Sequence, residues 1–342
     1  MRAGYFEAVG IAEFRDDMPE PQIERPDDVK IRIRCCGICG SEIHAFHGKH
    51  PFRIPPIVSG HEVAGDVVEV GTGVTDFAPG DRVVVEPHYG CGECWYCRHG
   101  LYNICPDKKV LGSGGWSGGL GEYIVTPKKT VVRLAGSLSY EEGALIEPVA
   151  NGMYAVRNSD ITPRSTIAII GAGPIGMGDL LCAKLYNPRL IVMADISDFN
   201  LEKAREMGCT HTVNSRKEDL RAKIMELTGG EGVDMTFLAF GDEPTIRQAA
   251  EITRRGGQLI QHALMDDGIG FPYMLHQQHE LDFKAYNMYQ HEDFELICDA
   301  IADGRMDLSH FVTQRYPIEK FKEAIDMADK RPEPVLKVMM EF

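Results

Sequence analysis

Residues 167–176 of this chain read IAIIGAGPIG, and this stretch decides the fold of the second half of the sequence. A short apolar run, typical of a buried strand, is followed by a Gly-x-Gly-x-x-Gly pattern and a helical stretch to about Leu185. In this context Gly171 permits a tight turn, Gly173 lets the backbone approach a pyrophosphate, and Gly176 lets helix and strand pack closely. The pattern predicts a dinucleotide-binding site.

The residues that flank the glycines support this prediction. Pro174 and Ile175 open the helix, whose N-terminus would face the phosphates. Asp195 ends the next strand, at Leu190–Ala194, and lies 19 residues after Gly176. A carboxylate at this place accepts hydrogen bonds from the adenosine ribose hydroxyls and repels a 2′-phosphate, so it favours NAD over NADP. The alternative interpretation is a glycine-rich loop with a solvated carboxylate at the strand end.

Outward from this site, strands alternate with helices, which is typical of a doubly wound parallel sheet. The predicted strands are Ile167–Ile170, Leu190–Ala194, Met235–Leu238 and Gln258–His262. The predicted helices are the stretch to about Leu185, Asn200–Met207 and Thr245–Ile252. The predicted fold class of this part of the chain is therefore α/β.

The first ~150 residues have a different character, because short apolar runs are broken by Gly and Pro every few residues. These runs predict strands at Val29–Ile33, Val63–Val70, Arg82–Val85 and Tyr123–Val125. After about Tyr289 the pattern predicts helices at Phe294–Ala302 and Ile318–Ala328 and a last strand at Val335–Met339. A chain of 342 residues is longer than one compact domain normally is, so two domains are expected.

The charge and composition weigh against several classes of function. The chain has 36 basic and 51 acidic residues, and its formal charge of −15 argues against a nucleic-acid partner or an anionic membrane surface. No run approaches the ~18 apolar residues of a membrane span, and the N-terminus lacks the apolar segment of a secretion signal. We therefore expect a cytoplasmic protein whose ten cysteines are mostly reduced.

Four of these cysteines, Cys91, Cys94, Cys97 and Cys105, lie within one fifteen-residue loop. Tetrahedral Zn²⁺ takes four thiolates at ~2.3 Å, and a closed four-cysteine site leaves no position for a substrate. The spacing therefore predicts a structural zinc that stabilises a loop with little core of its own. Disulfides are the alternative, which the expected compartment disfavours, and an iron–sulfur cluster is possible on ligand count.

A second set of metal-ligand residue types is dispersed along the chain. Cys39 lies in a Cys-Gly-Ser sequence, and His61 and Glu62 follow 22 residues after it. Glu147 comes later, directly before Pro148. Thiolate, imidazole and carboxylate together make a mixed site with room for water or substrate, as catalytic zinc requires. Each residue also has an ordinary interpretation: His61 as a core histidine, Cys39 as a small buried side chain, and Glu147 as a helix-start or loop carboxylate.

Together these motifs resemble those of the zinc-containing medium-chain dehydrogenases in identity and in order. The resemblance is carried by CGS at 39–41 with His44, by GHE at 60–62, by the four-cysteine loop and by GAGPIG at 171–176. It covers nearly the whole chain, to the terminal Leu336-Lys337-Val338. The segment EPVAN at 147–151 is similar to the acidic-Pro motif of the sorbitol and threonine dehydrogenase branch.

The resemblance implies a domain organisation. A β-rich, GroES-like catalytic domain would comprise residues 1–149 and 288–342, with the structural zinc lobe at about 88–107. The dinucleotide-binding Rossmann domain would comprise residues 150–287 and interrupt the catalytic domain in sequence. The active site is expected in the cleft between the two domains.

The resemblance also implies the site residues. The catalytic zinc would be held by Cys39, His61 and a glutamate, either Glu62 or Glu147, and the structural zinc by the four-cysteine loop. Two zinc ions per chain and NAD are thus the expected cofactors. The expected cofactor contacts are Gly171, Gly173, Pro174, Ile175, Gly176, Asp195, Asn200, His262, Leu264 and Asn287.

The implied reaction transfers hydride between NAD and a secondary alcohol, polyol or hydroxy amino acid and its ketone. Zinc acts as a Lewis acid in such a reaction, and the cofactor carries the hydride. Glu147 is expected at the reacting centre, and Ser41 and His44 would pass the released proton to solvent. Helix capping by Ser41 and a surface location of His44 are the alternative interpretations of these two residues.

Some positions depart from the polyol dehydrogenase pattern. Ala45 stands where that branch has an aromatic residue, and Met288 stands where it has an arginine. Asn200 stands where NAD-dependent relatives often have a basic residue, so the NAD preference rests on Asp195. Alternative functions are an NADP-dependent carbonyl reductase on the same fold and a non-catalytic nucleotide-binding relative. The resemblance implies a homo-tetramer or homo-dimer, with no nucleic acid or membrane partner.

Overall fold

The computed structural model describes residues 1–265 and 268–342, which form two compact units. The first unit consists of Met1–Glu147, Gln290–Gly304 and Phe311–Phe342. The second consists of Pro148–Tyr289 and Arg305–His310. The domain bounds drawn from the sequence stay a prediction, and the compact units differ from them mainly at residues 305–310, which pack with the second unit.

The described residues form strands and helices, labelled here in chain order. The strands are β1 Ala3–Ala8, β2 Ile11–Arg15, β3 Asp28–Ile38, β4 Glu62–Val70, β5 Arg82–Val85, β6 His88–Tyr89, β7 Lys109–Val110, β8 Tyr123–Pro127, β9 Val131–Arg133, β10 Thr166–Ile170, β11 Leu190–Asp195, β12 His211–Asn214, β13 Val233–Leu238, β14 Thr253–Gln261, β15 Asp282–Ala285, β16 Gln314–Pro317 and β17 Val338–Glu341. The helices are α1 Gly40–Phe46, α2 Trp95–Arg98, α3 Tyr140–Arg157, α4 Pro174–Lys184, α5 Asp198–Glu206, α6 Leu220–Thr228, α7 Glu243–Ile252, α8 Tyr273–His279, α9 His291–Ala302 and α10 Phe321–Lys330. Within the described ranges no helix combines the length and the apolar character needed to cross a bilayer.

The second unit contains a parallel sheet with the order β12-β11-β10-β13-β14-β15. The apolar run at 167–170 forms its central strand, and Ala168, Val192 and Leu259 are buried in its core. This is the doubly wound order, in which ligands bind at the carboxyl ends of the strands where the order reverses. The α/β fold class predicted from alternating strands and helices is confirmed.

The first unit is built on a mixed sheet with the order β16-β17-β3-β4-β5-β9, and β8 also pairs with β3. Strand β3 lies between β17 and β4, and Ile31 and Ile33 of this strand are fully buried. The C-terminal strand β17 joins this sheet beside β3, which brings residues from both ends of the chain together. The β-rich catalytic domain expected from the sequence is present.

Helix α3 is the largest element that the sequence pattern did not predict. It runs for 18 residues, and Leu145, Ile146, Val149 and Ala150 are fully buried. Buried apolar residues between Ala144 and Val156 lie on all sides of the helix, so it lacks a clear amphipathic period. The interpretation of Glu147 as a helix-start or loop residue is therefore wrong, since it lies in the middle of α3 directly before an interior proline.

Several strand bounds also differ from the sequence prediction, among them the end of β3, at Ile38 rather than Ile33, and the starts of β14 and β17. Strand β14 begins at Thr253 rather than at Gln258, and its pairing with β13 is irregular between Val233 and Met235. Two adjacent glycines, at 256 and 257, gave this segment the appearance of a turn. Strand β17 begins at Val338 rather than Val335.

The contact between α3 and α4 is the first testable feature of this fold. A methyl group on Gly152 would lie 2.6 Å from the carbonyl carbon of Gly178, and backbone atoms cannot rotate away. Alanine is favoured in helices by about 1 kcal/mol, but overpacking costs about 1–3 kcal/mol. We expect Gly152→Ala to lower the free energy of unfolding by about 1 kcal/mol, measured by urea denaturation.

The matched control is Gly136→Ala, because a methyl group there would meet nothing within 4 Å. We expect this control to change the free energy of unfolding by less than about 0.5 kcal/mol. A Gly152→Ala protein as stable as the wild type would show that α3 and α4 do not approach this closely.

Candidate metal and cofactor sites

The four cysteines of the loop at 91–105 converge to one point. Their sulfur atoms all lie within 4.8 Å of one another. The Cys91–Cys97 and Cys94–Cys105 sulfur distances are 4.0 and 3.8 Å, too long for the ~2.05 Å of a disulfide. Four thiolates at ~2.3 Å from a tetrahedral ion would be about 3.8 Å apart. The four sulfurs therefore have the spacing of a tetrahedral metal site.

The backbone around this loop also favours thiolates. The amides of Cys91, Cys94 and Cys97 each donate to a cysteine sulfur at 3.4 Å. Hydrogen bonds from amides to sulfur stabilise the charged form of a thiol, which is the form that binds a metal. The backbone and the four side chains thus support the same chemistry.

The second candidate site is organised by Glu42, which lies on α1 and is fully buried. Its Oε2 accepts a hydrogen bond from the Cys39 amide at 3.0 Å. Its Oε1 accepts from the Ser59 hydroxyl at 2.9 Å and lies 3.0 Å from Nδ1 of His61. One carboxylate therefore fixes the positions of both Cys39 and His61.

The local sequence explains this arrangement. Strand β3 ends at Ile38, and Cys39 takes the extended N-cap position of α1, so Glu42 is the third helical residue and can reach back to the cap. Gly60 has a φ of +95°, and a methyl group on it would lie 2.7 Å from the Leu120 amide. Only glycine can therefore take this position directly before His61.

The imidazole of His61 has one nitrogen left for another partner. Because Glu42 binds Nδ1, the Nε2 atom faces the other way and lies 3.9 Å from Oε1 of Glu147. Burial lowers the pKa of His61, but the carboxylates of Glu42 and Glu147 outweigh this effect and hold its pKa well above the usual value. The cluster therefore favours positive charge at this point, which a divalent cation would also supply.

Side-chain atoms of the kinds that bind metal ions form two groups near His61. Cys39, Glu42 and His61 lie within 4.8 Å of one another, and so do His61, Glu62 and Glu147. His61 belongs to both groups. Among the candidate ligands of a catalytic metal, the structure thus places His61 with Cys39 in one group and with Glu62 and Glu147 in the other.

Glu62 differs from Glu147 in its surroundings. Both oxygens of Glu62 bind the ammonium of Lys337, at 2.5 and 2.7 Å. The two side chains are 0% and 2% exposed, so this is a buried ion pair. Lys337 also donates to the Ile38 carbonyl at 3.3 Å. Burial lowers the pKa of Lys337, but the acidic groups of Glu62, Cys39 and Glu147 together hold this pKa above its usual value. Glu62 is therefore already held by a cation from the C-terminal segment.

A second buried cation lies against Glu42. The Nη1 atom of Arg53 is 3.6 Å from Oε1 of Glu42. It donates to the carbonyls of Leu111 and Gly112 at 2.8 and 3.0 Å. Arg53 thus connects the loop before His61 to a second loop and keeps the carboxylate beside it charged. The pKa of Glu42 is lowered despite its burial, chiefly by His61 and then by Arg53.

The glycine pattern in the second unit has the geometry expected for a cofactor. Gly171 has a φ of +99°, and a methyl group on Gly176 would lie 1.8 Å from its carbonyl oxygen. A methyl group on Gly173 would meet nothing within 4 Å, so the backbone there is open to a ligand. Asp195 accepts from the Ala172 amide at 2.6 Å, which places its carboxylate beside the turn.

The other expected cofactor residues lie at the same edge of the sheet or near it. Asn200 is partly buried near the start of α5. His262 and Leu264 follow β14, and the side chain of His262 is 3% exposed whereas Leu264 is 85% exposed. Asn287 is exposed after β15. Because β10, β11, β14 and β15 are parallel, these segments all follow carboxyl ends of strands.

Ser41 and His44 lie three residues apart on α1, a spacing that puts them on one face of the helix. The hydroxyl of Ser41 is 3.5 Å from Oε2 of Glu42, and the imidazole of His44 is exposed. The N-cap position of α1 is occupied by Cys39 and not by Ser41. The surface location considered for His44 is therefore present, whereas the capping role considered for Ser41 is not.

Comparison with known proteins identifies the family. The profile described as "Alcohol dehydrogenase GroES-like domain" matches residues 25–136, and that described as "Zinc-binding dehydrogenase" matches residues 174–303. The sorbitol dehydrogenase of Bacillus subtilis (strain 168) is 34% identical over 332 residues, which cover 95% of this chain and 93% of that protein. The chain belongs to the zinc-containing medium-chain alcohol dehydrogenase family. It is thus an oxidoreductase of a family with a nucleotide cofactor.

Two further relatives agree with this family. The D-arabitol-phosphate dehydrogenase of Enterococcus avium is 34% identical over 319 residues, covering 92% of this chain and 90% of that protein. The solved alcohol dehydrogenase of Thermus sp. ATN1 is 28% identical and superposes with a TM-score of 0.92, covering 100% of this chain and 99% of that one. The fold and the zinc-type family inferred from the motifs are therefore confirmed.

Three charged residues around the candidate sites were not predicted from the sequence to be functional. They are Glu42, Arg53 and Lys337. Two of them left a signal: Glu42 stands at the third position of a helix, where a carboxylate caps, and Lys337 interrupts an apolar run at 335–340. An isolated charge within an apolar segment indicates a buried partner, because an unpaired buried charge is costly.

The Glu62–Lys337 ion pair gives a prediction for the metal-free protein. Removing one partner of a buried pair leaves an uncompensated charge and costs about 3–5 kcal/mol. We expect Lys337→Met to lower the free energy of unfolding by about 3 kcal/mol in urea denaturation, and Lys337→Met/Glu62→Gln to recover most of this loss. The exposed pair Lys330–Asp326 supplies the control, since Lys330→Met should cost less than about 1 kcal/mol. Equal losses for the two lysine variants would contradict the buried pair.

Proposed function

We propose that the protein is an NAD-dependent zinc dehydrogenase that interconverts a secondary alcohol, polyol or hydroxy amino acid and its ketone. The observation that carries this proposal is the geometry at His61. Its Nδ1 is bound by Glu42 at 3.0 Å, so Nε2 is left for a metal, with Cys39 and Glu147 beside it. A carboxylate behind a histidine in this way fixes its tautomer and raises its basicity as a ligand.

The catalytic zinc is assigned to Cys39, His61 and Glu147. Glu62 is excluded from the resting set because both of its oxygens hold Lys337. Three protein ligands leave one position for the substrate oxygen. Zinc bound there would supply Lewis acidity that lowers the pKa of a bound alcohol.

The four-cysteine loop is assigned to a second, structural zinc. Its four sulfurs have the spacing of a closed tetrahedral set, and such a set has no open position for a substrate. The metal would cross-link residues 91–105, whose cysteines are exposed or partly buried except for Cys105. This role is separate from the chemistry at His61.

NAD is the proposed cofactor. The open backbone at Gly173 and the N-terminus of α4 support pyrophosphate binding at the turn. The Asp195 carboxylate supports the choice of NAD, because it is held at the strand end by the Ala172 and Ser197 amides, at 2.6 and 2.8 Å. Its negative charge would repel a 2′-phosphate, which disfavours the carbonyl reductase that uses NADP.

The proton released from the alcohol needs a path to solvent. Ser41 is partly buried two residues after Cys39, and its hydroxyl can accept a proton while giving its own to the next group. His44, on the same helix face and exposed, can pass this proton to water because an imidazole can accept a proton at one nitrogen and donate one from the other. These two residues therefore form the proposed relay.

The substrate class is proposed from the relatives. The proteins from Bacillus subtilis and Enterococcus avium are named for sorbitol and for an arabitol phosphate. Their names support a polyol or a related secondary alcohol. Ala45 is buried and Met288 is partly buried at the two departures from the polyol pattern. A homo-tetramer or homo-dimer in the cytoplasm stays a prediction.

The test is zinc content and turnover in the purified protein. We expect about two zinc ions per chain and reduction of NAD with members of a panel of polyols and secondary alcohols. The rate with NAD should exceed the rate with NADP by about tenfold or more. A tenfold difference corresponds to about 1.4 kcal/mol of repulsion between the Asp195 carboxylate and the 2′-phosphate. Cys39→Ser should retain about one zinc and lose turnover.

Cys209→Ser is the matched control, because Cys209 lies in the second unit outside both candidate metal clusters. It should retain both zinc ions and turnover. A wild-type protein with zinc only in the four-cysteine loop and no turnover would contradict the catalytic assignment. It would instead support a non-catalytic nucleotide-binding relative.

A further inference from the structure

A buried aspartate–histidine pair in the second unit joins His262, one of the expected cofactor contacts, to Asp179, which has no part in the proposed reaction. Asp179 lies in the second turn of α4, the helix that begins at the glycine pattern. His262 directly follows the last residue of β14. Nε2 of His262 is 2.8 Å from Oδ2 of Asp179, and the two side chains are 3% and 0% exposed.

This pair is incompletely satisfied. Among the described residues, neither Oδ1 of Asp179 nor Nδ1 of His262 has a hydrogen-bond partner, although both atoms are buried. Burial raises the pKa of Asp179, and His262 offsets only part of this effect. Replacing such a pair by apolar side chains of similar size is often neutral or stabilising. The pair is thus a poor source of stability and calls for another explanation.

Its location suggests that explanation. In a doubly wound sheet the first three strands bind the adenosine half of a dinucleotide, and the second three strands lie on the nicotinamide side of the crevice. Asp179 belongs to the helix of the first half, and His262 stands at the end of the fifth strand, β14. The pair therefore links the two halves of the proposed cofactor site.

The backbone at this end of β14 is also joined to the centre of the crevice. The Ala263 amide donates to the Leu238 carbonyl at 3.2 Å, at the end of β13. The Ala239 amide in turn donates to the Ile170 carbonyl at 3.1 Å, directly before the glycine pattern. A shift of His262 would therefore move peptide groups along the whole nicotinamide edge.

We propose that Asp179 and His262 are positioning residues that hold the carboxyl end of β14 against α4 and so set the place of the nicotinamide ring. This inference rests on the proposed NAD-binding function. The 2.8 Å contact between Nε2 of His262 and Oδ2 of Asp179 holds the imidazole ring in one orientation. The pair acts through the backbone that follows His262, since both side chains are buried.

The experiment compares NADH with ADP-ribose, which lacks the nicotinamide ring. Both are titrated against the zinc-loaded full-length protein, NADH by its fluorescence and ADP-ribose by calorimetry. In the apolar double variant Asp179→Leu/His262→Val we expect the dissociation constant for NADH to rise about tenfold, equivalent to about 1.4 kcal/mol. The affinity for ADP-ribose should stay unchanged, and the unfolding midpoint should not fall below that of the wild type.

A conservative variant separates positioning from packing. Asp179→Asn keeps an oxygen that can accept from Nε2 of His262, so NADH affinity should stay within about threefold of the wild type. Asp234→Asn is the stability control, because Asp234 binds Arg254 at 2.7 Å at the opposite, amino-terminal end of the sheet. This control should leave the ratio of NADH to ADP-ribose affinity unchanged.

Each outcome decides the inference. A selective loss of NADH affinity in the double variant, retained by Asp179→Asn, supports it. The inference is overturned if the double variant loses affinity for NADH and ADP-ribose equally, or loses none. It is also overturned if Asp234→Asn shifts the ratio of NADH to ADP-ribose affinity as much as the double variant does. These outcomes leave the NAD-binding proposal intact. A wild-type protein that binds neither NADH nor ADP-ribose overturns both.

Discussion

The carboxylate of Glu42 is the constraint on which the candidate catalytic site depends. It is fully buried and binds the amide of Cys39 with one oxygen and Nδ1 of His61 with the other. Cys39, at the N-cap of α1, and His61, directly before β4, are 22 positions apart in the chain. The Glu42 carboxylate nevertheless fixes both. Since the desolvation of a lone carboxylate is costly, the cations and donors around Glu42 are required for it to exist there.

The cost of an unpaired buried charge also distinguishes Glu62 from Glu147. Glu62 follows His61 in sequence, and nothing in the sequence separates it from Glu147 as a ligand. The fold separates them, because Lys337 from the C-terminal strand region neutralises Glu62 on both oxygens. Glu147 instead reaches the outer nitrogen of His61 from the middle of α3. In the proposed site, the carboxylate left to bind the metal is thus chosen by a residue 275 positions away from Glu62.

The features that the sequence predicted well are those whose geometry is set by residues close together in the chain. The glycine pattern and the four-cysteine spacing encode their geometry within a few residues, and the structure has both as expected. Helix α3 was missed because its buried apolar residues lie on all sides of the helix and show no clear amphipathic period. The Glu42, Lys337 and Asp179 partners were missed because each depends on a contact between distant segments. Lys337 and Asp179 left only the signal of a charge within an apolar segment, and Glu42 left only its place at the third position of a helix.

The most direct test of the catalytic assignment is anomalous diffraction at the zinc absorption edge from crystals of the zinc-loaded protein. The account predicts one peak among the four cysteines and another bounded by Cys39, His61 and Glu147, with Glu62 still bound to Lys337. The absence of the peak at His61, or a peak there with Glu62 as its carboxylate ligand and Lys337 displaced, would contradict it.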